Sequence, residues 1–341
     1  MLDNPAESEQ VRPIHSAARG SPSRRTHLSI KVLRNYGTII LLAALFALFS
    51  LTTTDFLTWN NLQYVLLNQA VTACMTLGIM VPLIVGEFDL SAGYGVGFIG
   101  MLGAYLALHG SSPVVIIISM LAAGVVIGLV NGLFAVKAGI SSFIATLGTG
   151  IVLEGLTQGL SGGSVLSTNI PNLFVILDRD TVWGLGSSVW ITLGLAIVLF
   201  YILEHTPIGR SLYAVGGSER VAFLAGMRTG RLKWGAFAAS GFMVAVAAIF
   251  AVGQNGSASP SFGSSLLLPA YAAAFVGVTT YRGGYYNVVG SVVGIILLAI
   301  GFNGLSLWGV AFWVQPVFDG GVLLVAVLAA NAETRKVRVG S

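Results

Sequence analysis

From residue 37 onward the chain is a succession of apolar runs, with charges and turn residues confined to the joints between them. A helix needs about 20 mostly apolar residues to cross a bilayer. Ten runs fit that description: 37–54, 63–85, 91–109, 113–136, 142–161, 188–204, 234–253, 267–281, 287–307 and 315–331. The eighth is short, and the second and third are closely joined. Charge decides the class. Only 9% of the 341 residues are Asp, Glu, Lys or Arg, against roughly 25% in an ordinary globular domain. So few charges cannot build a water-facing surface. The expected fold is an all-α polytopic membrane bundle of about ten transmembrane helices.

The basic residues orient this bundle. Cytoplasmic loops carry an excess of Lys and Arg. With the N-terminus placed inside and ten alternating spans, every one of the 17 basic residues except Arg179 falls on the cytoplasmic side. Arg12, Arg19, Arg24, Arg25, Lys31 and Arg34 precede the first run, and Arg335, Lys336 and Arg338 follow the last. Nine or eleven spans would put that last cluster outside. The expected organisation is a mostly disordered cytoplasmic tail over 1–36, a transmembrane domain over 37–331 and a cytoplasmic tail over 332–341. The polar start does not read as a cleaved signal peptide, whose apolar stretch lies near its beginning. The pI near 9.3 therefore reports orientation. No interleaving of aromatic and basic residues suggests nucleic acid.

Motifs for chemistry fail one by one. Gly95-Val96-Gly97-Phe98-Ile99-Gly100 has the G-x-G-x-x-G spacing but sits in a span after no strand, so its glycines are packing residues. None of the four lysines follows a glycine, which excludes a P-loop. There is no H-E-x-x-H and no G-x-S-x-G. The single Cys74 forms no intrachain disulfide, and His15, His27, His109 and His205 are too scattered for a metal cluster. The chain is expected to be no enzyme and to bind no metal.

Three features remain. Polar residues within spans are few: Asn68, Gln69, Asn131, Glu154, Gln158, Asn303 and Asp319. Such groups face a cavity or the bundle interior, because lipid does not solvate them. Glycines recur four apart at Gly124, Gly128 and Gly132, at Gly93 and Gly97, and at Gly290 and Gly294. That spacing lets helix backbones approach closely. The joint Gly86-Glu87-Phe88-Asp89-Leu90-Ser91-Ala92-Gly93 places two of the chain's 13 acidic residues between two apolar runs. Asp89, with Ser91, is positioned to cap the next helix or to serve an inner gate.

The segment 206–233 is too polar to span and too regular for a linker. Ser218 is a good N-cap and Gly226 a plausible stop, so 218–226 reads as a short helix on the cytoplasmic face, with Gly216 and Gly217 allowing a sharp turn before it. It is either a membrane-surface helix or a knob that docks into a soluble partner.

Here the sequence resembles the coupling region of ABC importer permeases of the ribose/xylose/arabinose class. It supplies Thr206, Gly209, Arg210, Tyr213, Ala214, Gly216, Gly217, Ala222 and Gly226 of the pattern T-x-x-G-R-x-x-Y-A-x-G-G-N-x-x-A-A-x-x-x-G, with Ser218 in place of Asn and Val221 in place of Ala. Asn131 to Thr149 is similar to a second motif, N-G-x-x-x-x-x-x-x-I-P-x-F-I-x-T-L-G-T, with Ser141 where Pro is common. The joint at 86–93 resembles G-G-x-D-L-S-x-G, with Glu87 in the second Gly position. The likeness runs from about residue 60 to the C-terminus. It implies a type II-like ABC importer permease in the bacterial inner membrane, with two related halves. No internal sequence repeat reveals those halves. It implies a second permease copy or sister permease, two cytoplasmic ATPase subunits that hold the ATP and Mg, and an external solute-binding protein.

On this resemblance Gly209, Arg210, Gly216, Gly217, Ser218, Glu219, Ala222 and Gly226 form the ATPase-coupling region. The expected solute is small, neutral and polar, a monosaccharide or polyol. Asn68, Gln69, Asn131 and Asn303 are then the candidate pathway residues. The same architecture in other hands moves nucleosides, amino acids or furanone signals. The competing class is an ion-coupled secondary transporter, for which Glu154 and Asp319 are the only ionisable material.

Overall fold

The computed structural model describes the backbone over residues 24–179, 181–280 and 284–339, and side chains over 37–178, 181–280 and 284–330. The expectations for Arg12, Arg19 and Arg282 lie outside the described residues.

The chain is helical almost throughout. Its helices are α1 (Arg24–Thr52), α2 (Trp59–Ile84), α3 (Ser91–Leu108), α4 (Pro113–Gly132), α5 (Ser142–Ser161), α6 (Asn172–Arg179), α7 (Ser187–His205), α8 (Pro207–Gly217), α9 (Glu219–Leu224), α10 (Thr229–Asn255), α11 (Leu267–Thr280), α12 (Val288–Leu307) and α13 (Val314–Val339). A π-helical turn, Leu133–Lys137, continues α4. Among the described residues, seven segments are long and apolar enough to cross a membrane: α2, α3, Pro113–Lys137, α5, α7, α10 and α12. Three shorter apolar segments, Gly37–Thr52, Ser264–Thr280 and Val314–Ala330, occupy the remaining expected runs.

Four local differences from the sequence reading have physical causes. Helix α1 begins at Arg24 rather than near 37, since no Gly or Pro interrupts 24–36. Helix α13 runs to Val339, through the expected tail, since nothing after Gly321 breaks it. The external segment 162–187 holds α6 and a small hairpin pairing β1 (Thr181–Val182) with β2 (Leu185–Gly186). Finally, 206–233 holds two helices, α8 and α9, not one.

Helix α10 is the axis of the bundle, packed along α4, α2 and α3. Glycine makes this possible. A Cβ at Gly124 or Gly128 of α4 would fall on the carbonyls of Gly241 or Phe237 in α10, and one at Gly241 on the Gly124 carbonyl. Gly290 and Gly294 of α12 meet the Gly277 and Ala273 carbonyls of α11 in the same way. With lipid as apolar as leucine, this close backbone contact is a main source of helix adhesion. The core around it is lined by Met75, Ile79, Ile99, Met101, Ile116, Met120 and Phe250, all fully buried.

Candidate functional site

The joint between α2 and α3 is the most constrained polar feature of the molecule. After Ile84 the backbone leaves the helix, turns at Gly86 with φ +82°, and re-enters helix at Ser91. Unwound backbone inside a bundle must find partners for its N–H and C=O groups. Three successive amides do so on side chains of other helices. The Phe88 N–H donates to Ser142 Oγ, the Asp89 N–H to the Tyr271 hydroxyl and the Leu90 N–H to Thr146 Oγ1, each at 3.0 Å.

Asp89 points into this joint and is 1% exposed. Its Oδ1 accepts from Ser91 Oγ at 2.6 Å and from Asn131 Nδ2 at 3.3 Å, and its Oδ2 accepts from Ser240 Oγ at 2.7 Å. Asn131 Nδ2 also donates to Ser91 Oγ at 2.7 Å. Burial raises the Asp89 pKa from its ordinary value, and the Ser91 and Ser240 donors pull it down. No ion pair reaches this carboxylate among the described residues. Leu90 occupies the N-cap position of α3 with no side-chain cap bond, but the Asp89 carboxylate accepts from the Ser91 N–H at the start of that helix and also ties α3, α4 and α10 together. Glu87, two residues before Asp89, pairs with Lys233 at 2.7 Å, and Lys233 also reaches Glu219 at 2.6 Å.

The second feature is the segment after α7. Thr206 caps α8 by accepting from the Gly209 N–H, and Ser218 caps α9 by accepting from the Val221 N–H. Gly226, with φ +83°, ends the unit. The turn between the helices falls on Ser218 and not on Gly216 and Gly217, neither of which has a positive φ. Gly216 has a different task. A Cβ there would strike the Ile84 carbonyl at the end of α2. Gly209 lies equally close to the Leu203 carbonyl. Leu212, Val215 and Ala222 are buried against Ile84, Val85 and Ala236. Arg210 is exposed, as are Gly217, Ser218 and Glu219. Around Ala222 the six-residue α9 turns Val221, Phe223 and Leu224 outward, 64%, 66% and 76% exposed.

About 20 Å back along α2 from Ile84 at 1.5 Å per residue, near the middle of that helix, lies a polar cavity of about 610 Å³. Asn68, Gln69 and Thr72 of α2, Gln254 of α10 and Gln315 and Asp319 of α13 line it, together with the Phe262 and Phe302 rings. Two of the four expected pathway amides therefore meet here. Asn131 does not; it is 0% exposed in the Asp89 joint. Nor does Asn303, whose amide pairs reciprocally with Asn61 at 2.8 and 2.9 Å, tying α12 to α2 beside a separate, mostly apolar cavity of about 650 Å³. Glu154 and Gln158 stand on the exposed face of α5.

Sequence reasoning missed Ser240, Tyr271, Ser142 and Thr146 as partners of the joint, and Gln254 and Gln315 in the cavity. The hydroxyls of Ser240 and Tyr271 in otherwise apolar runs were the available signal. No group of three His, Cys, Asp or Glu able to hold a metal occurs among the described residues.

The polar cavity thus lies in a helical membrane bundle whose α8–α9 segment packs against the far end of α2. The chain belongs to the family described as the permease component of the branched-chain amino acid transport system, which matches residues 61–327. It is thus a permease subunit rather than an enzyme, and a multi-pass protein of the bacterial inner membrane. It is 32% identical to the ribose import permease protein RbsC of Haemophilus influenzae, covering 86% of this chain and 91% of that one. It is 31% identical to RbsC of Escherichia coli K12, covering 91% and 97%. The L-arabinose ABC transporter permease protein AraH of Azospirillum brasilense is 29% identical, covering 90% and 91%.

Proposed function

We propose that this chain is the membrane-spanning subunit of an ATP-driven importer for a small neutral polyhydroxylated solute, a monosaccharide or polyol. The observation that carries this reading is the polar cavity. Its lining offers amides and hydroxyls that pair with hydroxyl groups, and aromatic rings that pack on the apolar faces of a sugar. The names of the ribose and L-arabinose relatives support the same solute class. In this reading all ten apolar segments cross the membrane, with both termini cytoplasmic, so the cavity lies toward the outside and α9 on the inside. The exposed Val221, Phe223 and Leu224 dock into a cytoplasmic ATPase. ATP and Mg belong to that partner, and an external solute-binding protein delivers the solute. A second permease subunit faces α5, where Glu154 and Gln158 on an otherwise apolar exposed face call for a neighbour other than lipid. ATPase closure moves α9 and α8, and the helices respond as rigid bodies that alternate access.

The cavity is tested by Gln69→Leu and Gln254→Leu in the reconstituted importer. Each removes hydrogen-bonding partners of the solute without touching the α9 surface. Uptake is expected to fall about tenfold, the loss of roughly one hydrogen bond, with ATPase association unchanged. Wild-type uptake in both variants would take the solute out of this cavity.

A further inference from the structure

The structure gives Glu87, which stands where the resembling permeases carry Gly, a specific place. Its Oε1 lies 2.7 Å from Lys233 Nζ, and the same ammonium lies 2.6 Å from Glu219 Oε2. The three residues come from three elements: the α2–α3 joint, the first turns of α10 and the first residue of α9. The Lys233 and Glu87 side chains are 13% and 16% exposed, whereas Glu219 is 50% exposed. The inner pair is therefore shielded from solvent and salt, where a charge pair holds more strongly than on an open surface. Two turns further along α10, Ser240 grips Asp89 of the same joint. Helix α10 thus holds both acidic residues of the joint, and Lys233 alone among these contacts also holds α9 by charge.

We infer that Lys233 and Glu87 are positioning residues that carry displacement of α9 into the α2–α3 joint. The inference rests on the reading of α9 as the ATPase contact. Helix α9 is short and anchored by one buried side chain, Ala222. It reaches the bundle through α8, where Gly216 bears on Ile84, through residues 225–228 into α10 and the packing of Ala222 beside Ala236, and through the Lys233 bridge, which is the one charged link to the joint at Glu87 among the described residues. The route through α8 pushes the end of α2. The Lys233 bridge pulls on the residue two positions before Asp89. Together these two couple α9 to both sides of the turn at Gly86. A chain with Gly at 87 lacks the charged link from Lys233 to the joint.

The test uses the full transporter, with its ATPase and binding protein, in proteoliposomes, measuring solute uptake and ATP hydrolysis together. Glu87→Gln, Glu87→Gly and Lys233→Met are expected to assemble and hydrolyse ATP while solute moved per ATP falls about fivefold or more, the lower range of coupling between sites. Lys233→Arg, which can still hold both carboxylates, is expected to keep the wild-type ratio. A wild-type ratio in Glu87→Gln and Lys233→Met overturns the inference. Loss of assembly in both Glu87 variants also overturns it, because the bridge would then be a folding contact. Phe223→Asp separates this outcome from failure of the underlying reading. If it abolishes ATPase association while the Glu87 variants behave as wild type, α9 is the contact and only the relay is wrong. If it leaves association intact, the relay falls with the reading beneath it.

Discussion

At the scale of single residues, Asp89 decides how the joint is held. Its carboxylate is the common acceptor for donors from Ser91, Asn131 and Ser240. Removing it leaves buried donors without a partner, and each such group costs about 1–3 kcal/mol. Asp89→Ala is therefore expected to lower thermal stability in detergent substantially, while Asp89→Asn, which keeps one acceptor oxygen, loses less. Unfolding curves followed beside uptake separate two roles. Normal uptake in Asp89→Asn means that the charge is dispensable; loss of uptake in a well-folded Asp89→Asn assigns the charge a gating role. That Asp89 was unusual was legible in the sequence, because a carboxylate between two apolar runs is costly. Its partners were not. Ser240 is 151 residues away, and one sequence carries no sign of which distant hydroxyl meets which carboxylate. The structure also unites two stretches that had looked separate. The motif from Asn131 to Thr149 supplies Asn131, Ser142 and Thr146 to the joint at 86–93. They are one site.

At the scale of elements, glycine spacing and capping residues were the reliable signals. Gly124, Gly128, Gly290 and Gly294, and Gly93 with Gly97 against Gly263, lie at close backbone approaches, while Gly132 makes room for the Trp234 ring. Gly128→Val places its side chain on the Phe237 carbonyl and should destabilise the α4–α10 contact by about 1–3 kcal/mol, visible as a lower unfolding temperature. Gly216→Val drives α8 from the end of α2 and should depress uptake more than stability, since the contact lies at the rim of the bundle. Equal losses at the two positions would reduce Gly216 to packing. Ser218 and Gly226 located α9 in the sequence because capping is local chemistry. The extra helix α8 was missed. Its glycines argued for a turn, but tertiary contact with Ile84 uses one of them inside a helix instead.

At the scale of the whole molecule, α2 links the two functional ends. Near its middle it lines the polar cavity, and at its end it meets α8 and opens into the Asp89 joint. Fold class was legible from charge scarcity alone, and a short capped helix after α7 from its polar character. The cavity was half legible. Asn68 and Gln69 were recognisable as amides in a span, but Asn131 and Asn303 share that signal and serve helix contacts instead. Which face of a helix looks into a cavity depends on neighbours far away in the chain. The central claim is that ATP hydrolysed by a partner docked on α9 drives solute inward through this chain. Its most direct test is uptake of radiolabelled pentoses and hexoses into proteoliposomes holding the permease, with and without ATPase, binding protein and ATP. Accumulation is expected only when all are present, and is lost in Phe223→Asp. Accumulation driven by a proton or sodium gradient with no ATPase subunit would contradict the account.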